Sequence, residues 1–227
     1  FRLKARLVAG GHMTTTPASL TYSSVVSRDS VRIAFLIAAL NDLTVMACDI
    51  QNAYLTAKCR EKVWCRAGPE FGADEGKIML ITRALYGLKS SGAAFRSLLA
   101  DYVWKIGFRP SPADNDVWLR PAIKPDGTRY YEYLLIYVDD VLGVSHNPDM
   151  LNCIKREFKL KGDKIAEPSV YLGANLTKMV NEEGKECWAM GADDYCASAV
   201  QNVEKVLADK GLRLPSKCIT PTLHGYR

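Results

Sequence analysis

The sequence predicts an α+β fold, and three observations lead to that prediction. Amphipathic helical patterns are interspersed with short apolar runs, tight turn signals join several of those runs into hairpins, and strands and helices do not alternate regularly. The 227 residues are enough for one large domain or two small interleaved ones. With 48% hydrophobic and 24% charged residues, the composition is that of a globular protein and excludes global disorder and collagen-like structure.

The first half of the chain predicts two helices and several short strands. Asp29 or Ser30 can cap the first helix, Ser90 or Ser91 can cap the second, and Gly107 marks the second helix's end. One almost wholly apolar run between the helices is typical of a buried strand. The predicted helices are residues 29–40 and 90–106, and the predicted strands are residues 1–9, 43–50, 63–66 and 78–82.

The second half predicts hairpins followed by helices. Pro125-Asp126-Gly127 is a strong turn signal between two strands. A second hairpin follows, in which only Asp139-Asp140 separates the apolar runs 134–138 and 141–144, and two residues are what a tight turn needs. The predicted strands are residues 116–120, 130–137 and 169–176, and the predicted helices are residues 147–158 and 193–210.

Charge and cysteine content narrow the possible function classes. The net charge is +5, and residues 1–120 hold an excess of six positive charges, which is compatible with a polyanionic partner. The seven cysteines are odd in number and lack C-x-x-C spacing, which argues against a disulfide scaffold or a zinc module and favours a reducing compartment. The longest apolar run, residues 33–40, is far shorter than a membrane span of roughly 18 residues. We therefore expect no membrane association and no secretion signal.

Three carboxylates in apolar surroundings are the main chemical signal. Asp49 ends an apolar run, and Asp139-Asp140 lies between two such runs. No Lys or Arg occurs within eight residues after Asp49, or between Arg129 and Lys155. A partly buried carboxylate without a partner is costly or stays protonated, and a divalent cation such as Mg²⁺ or Mn²⁺ removes the problem. The alternative interpretation is an ordinary solvated Asp-Asp turn, which the apolar flanks disfavour.

The surrounding motifs resemble those of reverse transcriptases. Tyr137-Val138-Asp139-Asp140 matches the family's Y-x-D-D signature, and Asp49 followed four and five residues later by Ala53 and Tyr54 resembles its other catalytic motif. More specific matches are similar to segments of copia-type retrotransposon polymerases: Lys4-Ala5-Arg6-Leu7-Val8-Ala9, Tyr22-Ser23-Ser24-Val25-Val26, Leu85-Tyr86-Gly87-Leu88-Lys89, Tyr171-Leu172-Gly173 and Thr220-Pro221. The family's S-P-R-x-W helix opening is replaced here by Ser91-Gly92-Ala93-Ala94-Phe95.

The resemblance implies a right-hand polymerase fold, with fingers and palm built around a central antiparallel sheet backed by helices. The fingers would comprise about residues 1–24 and 58–90, the palm about 25–57 and 91–180, and residues 181–227 the start of a thumb or connection region. It also implies an RNA-directed DNA polymerase that adds dNTPs to a primer 3′-hydroxyl. Asp49, Asp139 and Asp140 would be the catalytic residues and would hold two Mg²⁺ or Mn²⁺ ions for phosphoryl transfer.

Further site residues follow from the same resemblance. Tyr54 would lie beneath the sugar and exclude a 2′-hydroxyl, although it is also interpretable as a packing aromatic. The expected nucleotide-binding residues are Lys4, Arg6, Ala53, Tyr54, Tyr86 and Gly87. The expected template and primer contacts are Lys89, Tyr137, Val138, Tyr171, Leu172 and Gly173.

The implied partners are an RNA or DNA template with its primer, dNTPs, and other parts of a Pol polyprotein such as integrase and ribonuclease H. The implied location is the cytoplasm or nucleus, within a retrotransposon particle. An alternative function stays open, in which the chain is a catalytically inactive remnant or a domesticated module that binds nucleic acid or protein.

Overall fold

A computed structural model describes residues 6–18 and 21–215 of the chain. Its contacts divide the chain into two compact units, with the division between Glu167 and Pro168. The larger unit contains a central five-stranded antiparallel sheet with helices packed on it, so the predicted α+β class is confirmed.

The larger unit's sheet has the strand order β1-β7-β6-β5-β4, and β2 pairs with β3 in a separate antiparallel hairpin. Strands β5, β6 and β7 follow one another along the chain as two consecutive hairpins, while β1 is added beside β7 from far earlier in the sequence. The strands are β1 Thr44–Asp49, β2 Trp64–Arg66, β3 Ile78–Leu80, β4 Arg109–Pro110, β5 Val117–Ile123, β6 Arg129–Tyr137 and β7 Asp140–Ser145.

The helices of this unit bury apolar faces against the sheet. Helix α3 contributes Phe95, Leu99 and Val103 to the main core, where they join Leu134 and Val141 of the two central strands. Burial of such side chains is worth about 1.5–3 kcal/mol each, which fixes the helix beneath the strands. The helices are α1 Arg28–Leu40, α2 Ala53–Thr56, α3 Ser91–Lys105 and α4 Asn152–Lys155.

The sheet also contains a buried polar network. Arg120 of β5 and Glu132 of β6 are cross-strand partners, and Arg120 donates to Glu132 Oε2 from Nε at 2.9 Å and from Nη2 at 2.6 Å. Ser145 Oγ donates to the other carboxylate oxygen at 2.8 Å. Both oxygens of this buried carboxylate are therefore satisfied, as a buried charge requires.

Several predicted elements differ in detail from the observed ones. Ser27 caps α1, because its Oγ accepts a hydrogen bond from Ser30 N at 3.1 Å, so the assignment of the cap to Asp29 or Ser30 was wrong. The predicted helix 147–158 is helical only over α4, since Asn147 Oδ1 accepts from Asp149 N and holds the preceding residues in a turn. Residues 6–9 of the predicted first strand form no strand, and residues 1–5 lie outside the described part.

The smaller unit contains a three-stranded antiparallel sheet, in the order β10-β9-β8, and one long helix. Its elements are β8 Val170–Tyr171, β9 Ala174–Val180, β10 Glu186–Gly191 and α5 Asp193–Ala208. The strand predicted over residues 169–176 is interrupted, because Leu172 and Gly173 both adopt positive φ values of 48° and 80°. These two residues make the tight turn between β8 and β9.

Candidate functional site

Two carboxylates lie opposite each other at the ends of neighbouring strands. Asp49 is the last residue of β1, Asp140 is the first residue of β7, and the two are cross-strand partners. Directly opposed side chains in an antiparallel pair lie on the same face, with Cβ atoms about 4.5–5.5 Å apart. Two like charges in that arrangement repel each other, so this end of the sheet favours a cation.

Asp139 occupies the turn beside this pair. Because Tyr137 pairs with Asp140, the two-residue turn consists of Val138 and Asp139, so the prediction of a turn at Asp139-Asp140 was wrong by one residue. Val138 has a φ of 55°, which is strained for a β-branched residue. Ile50 N donates to Asp139 O at 2.8 Å, which ties the turn to the end of β1. The structure thus brings Asp49, Asp139 and Asp140 to one edge of the sheet.

Lys161 is a site residue that the sequence did not indicate. Its Nζ donates to Asp49 Oδ2 at 2.5 Å, across 112 residues of sequence. The pairing follows from backbone register, because Ile50 forms an antiparallel bridge with Leu160 and Gln51 N donates to Lys159 O at 2.8 Å. Only a prediction of long-range strand pairing would have identified this lysine.

The electrostatics of the site reflect this crowding of charges. Burial, together with the negative charges of the neighbouring Asp139 and Asp49, raises the pKa of Asp140 to about 6, and Lys161 acts in the opposite direction. The hydrogen bond to Asp49 raises the pKa of Lys161 above its ordinary value. Burial raises the pKa of the Cys48 thiol, which precedes Asp49, to about 12, so that thiol is unreactive.

A large open cavity adjoins the acidic edge, by which we mean the end of the sheet that carries Asp49, Asp139 and Asp140. Its volume is about 960 Å³, within the range of small-ligand sites, and both carboxylates and cations line it. Asp49, Asp139 and Asp163 contribute negative charge, while Arg6, Lys159 and Lys161 contribute positive charge. Tyr86 also lines the cavity, and the Arg6 guanidinium lies over its ring at 5.1 Å from the ring centre. An anionic ligand such as a triphosphate would find counter-charges here.

The donor set fits a hard divalent cation in its chemistry. The carboxylates of Asp139 and Asp140 form no hydrogen bond or ion pair with the described residues, and carboxylate oxygens are the ligands such ions prefer. Within residues 6–18 and 21–215, no three His, Cys, Asp or Glu side chains are grouped closely enough to hold a metal ion together. Asp49 is instead paired with Lys161 through one of its carboxylate oxygens, Oδ2.

The residues after Asp49 lead into a short helix. Asn52 has left-handed backbone angles, with φ 55° and ψ 40°, and the turn it makes starts α2 at Ala53. Ala53 is buried, and Tyr54 packs with its ring centre 5.0 Å from that of Tyr86 and 6.3 Å from that of Phe95. Burial, with smaller contributions from Asp139 and Tyr86, raises the pKa of Tyr54. Its role in sugar selection stays a prediction.

Two glycines hold the segment that carries Arg6 against the Tyr86 turn. A Cβ on Gly87 would lie 2.1 Å from Ala9 O, and one on Gly11 would lie 1.9 Å from Gly87 O. Ala9 N also donates to Tyr86 O at 2.7 Å. Lys89 Nζ donates to Thr14 O at 2.9 Å, so in this structure it fastens the same segment. Its contact with a template phosphate stays a prediction.

The other predicted contacts are placed as follows. Tyr137 is partly exposed at the end of β6, and Val138 lines a small pocket beside Gly92 and Phe95. Tyr171 ends β8 of the smaller unit, Leu172 and Gly173 form the turn to β9, and the contact of these three residues with a primer stays a prediction. Lys4 and Thr220-Pro221 lie outside the described residues.

Two further findings concern cysteines and membranes. The cysteines in the described part of the chain are all free thiols. Over the same residues, no helix combines the length and the hydrophobicity needed to span a bilayer.

Comparison with known proteins gives consistent results. A model of the family described as "Reverse transcriptase (RNA-dependent DNA polymerase)" matches residues 1–221. The chain is 30% identical over 156 residues to the Retrovirus-related Pol polyprotein from transposon RE1 of Arabidopsis thaliana, covering 66% of this chain and 10% of that protein. It is 27% identical over 169 residues to the corresponding protein from transposon RE2 of the same plant, covering 70% and 11%. The chain thus spans about a tenth of the length of these relatives.

Proposed function

Because the chain belongs to the reverse transcriptase family and carries the motifs of its copia-type members, we propose that it is the polymerase core of a Pol polyprotein. It would add dNTPs to a primer 3′-hydroxyl on an RNA or DNA template. The observation that supports this best is the meeting of Asp49, Asp139 and Asp140 at one sheet edge beside a charged cavity. In the same proposal the five-stranded sheet is the palm, and the β2–β3 hairpin belongs to the fingers.

The reaction forms a bond between the primer 3′-oxygen and the α-phosphorus of the dNTP. The bond from that phosphorus to the β-phosphate oxygen breaks, pyrophosphate leaves, and the hydroxyl proton passes to solvent. Two Mg²⁺ or Mn²⁺ ions held by Asp49, Asp139 and Asp140 would favour the 3′-alkoxide and neutralise charge on the triphosphate. Catalysis of this kind is mainly positioning and electrostatics, which three carboxylates can provide.

The chain's own side chains would position the nucleotide. Arg6, stacked over Tyr86, and Lys159 line the cavity that holds the acidic edge. Both side chains are exposed and form no ion pair within residues 6–18 and 21–215, so both can contact phosphate oxygens. The Tyr86 and Tyr54 rings, 5.0 Å apart, form a wall where base or sugar can pack.

Primer extension tests this function. The wild-type chain should extend a primer on an RNA template with Mg²⁺ or Mn²⁺, and Asp139→Asn should lower single-nucleotide incorporation by at least about 100-fold, as is typical when a group stabilising transition-state charge is removed. Asp29→Asn, at the exposed start of α1, should retain wild-type incorporation. Equal activity of Asp139→Asn and wild type would contradict the proposal. Template binding without extension by the wild-type chain would favour the alternative of a non-catalytic nucleic-acid-binding module.

A further inference from the structure

The ion pair between Lys161 and Asp49 suggests a role for this lysine in metal binding. This role rests on the proposed function and goes beyond it. Asp49 lies between two neighbours in register, with Asp140 opposite it on β7 and Lys161 opposite it on the 158–161 segment. Its carboxylate can be neutralised from either side. In this structure the lysine does so, through a 2.5 Å contact to Oδ2.

We infer that the Lys161 ammonium is an intramolecular substitute for the metal ion at Asp49, and that metal binding must displace it. The exchange needs no chemistry beyond ion pairing, since Lys161 stays protonated and Asp49 gives up one cation for another. It accounts for two observations together. Asp49 is paired while Asp139 and Asp140 are not, and the three carboxylates are not grouped for chelation.

The surroundings of Lys161 allow this displacement. Its side chain is 64% exposed, so leaving Asp49 does not open a core. Gly162 and Asp163 follow with positive φ values of 65° and 53°, in a single helical turn that interrupts the pairing with β1 between Leu160 and Ala166. Once released, the ammonium faces the cavity that Lys161 already lines. When no metal is bound, Asp49 and Asp140 repel each other, and the ion pair with Lys161 limits this repulsion.

Metal titration distinguishes this exchange from a merely structural ion pair. Mn²⁺ binding to the wild-type chain and to variants is measured by calorimetry. Lys161→Gln removes the competing cation and should tighten Mn²⁺ binding about two- to fivefold, the factor expected for losing a partly exposed ion pair. Lys161→Arg keeps a cation and should not tighten it. Lys77→Gln breaks a similarly exposed 2.6 Å pair with Asp74, neither residue of which lines the cavity, and should change the affinity less than about 1.5-fold.

A second readout follows the lysine directly. Reductive ¹³C-methylation labels the lysines with their charge retained, and the signal missing from Lys161→Arg identifies Lys161. Saturating Mg²⁺ should move that signal towards the position of a free, solvated lysine. No movement at saturation, or equal Mn²⁺ affinities for Lys161→Gln and Lys77→Gln, overturns the exchange while leaving the metal site intact. If Asp49→Asn binds Mn²⁺ as tightly as wild type, the metal site of the proposed function fails as well.

Discussion

Tyr54 offers a sharp test of how the site selects its sugar. Its ring is held between those of Tyr86 and Phe95, at centre-to-centre distances of 5.0 and 6.3 Å, directly after the turn that follows Asp49. A ring fixed on two sides cannot move away from an extra hydroxyl. We predict that Tyr54→Val increases ribonucleotide use relative to deoxyribonucleotide use, whereas Tyr54→Phe does not.

The size of the effect follows from packing energies. Overpacking against a rigid side chain costs about 1–3 kcal/mol, so removing the ring should reduce discrimination by a factor of roughly 5 to 150. The same change loses two aromatic contacts worth about 0.5–1.5 kcal/mol each. Tyr54→Val should therefore also lower the free energy of unfolding by about 1–3 kcal/mol, and Tyr54→Phe should lower it far less.

The assay is single-nucleotide incorporation, with kcat/KM measured for one dNTP and the matching rNTP. The ratio of the two values cancels any general loss of folded protein, and urea denaturation measures that loss separately. A parallel fall in both values, with an unchanged ratio, would refute the gate and leave Tyr54 as a packing residue.

Three further predictions concern stability and assembly. Without metal, the raised pKa of Asp140 means that the folded state binds more protons than the unfolded state. Protonation of Asp140 therefore contributes fully to the free energy of unfolding below about pH 4, and this contribution is lost as pH rises through about 6. Urea denaturation in the presence of chelator should show this decline for the wild-type chain and not for Asp140→Asn. Glu132→Gln should lower the free energy of unfolding by about 3 kcal/mol, because it leaves Arg120 without its carboxylate partner. Asp74→Asn breaks only an exposed ion pair and should lower it by less than about 1 kcal/mol. Equal urea midpoints for the two variants would contradict this. Gly87→Ala should speed tryptic cleavage after Arg6, because the added Cβ displaces Ala9 O and loosens the segment that carries Arg6. Gly76 also has a positive φ but has open space around it, so Gly76→Ala should leave this cleavage rate unchanged. Equal cleavage rates for the two variants would contradict the glycine contact.

The sequence predicted the elements that local pattern controls. Helices α1, α3 and α5 and strands β5 and β6 appear within a few residues of their predicted bounds, since helical periodicity and a Pro-Asp-Gly turn are local signals. The predicted antiparallel hairpin at the Asp-Asp pair was also correct. Its register was not, because a valine in the left-handed region has no sequence signature and is held there by the pairing of Tyr137 with Asp140.

The features that the sequence could not predict depend on the pairing of strands that are far apart in the chain. The carboxylates were identified from their apolar flanks and motif spacing, but their alignment follows from β1 pairing with β7 across about ninety residues. Lys161 lies in a charged segment with nothing to distinguish it from Lys155 or Lys159. Only the bridge between Ile50 and Leu160 places it opposite Asp49.

The close contact between the two glycines has a consequence for the order of folding. Ala9 and Tyr86 are joined by a hydrogen bond although more than seventy residues separate them in sequence. Closing so long a loop costs conformational entropy, and few contacts offset that cost. The consecutive hairpins β5–β6–β7 close over short distances and can form early. We therefore expect the segment that carries Arg6 to be seated after these hairpins, so that the β6–β7 turn with Asp139 forms before the guanidinium arrives beside it.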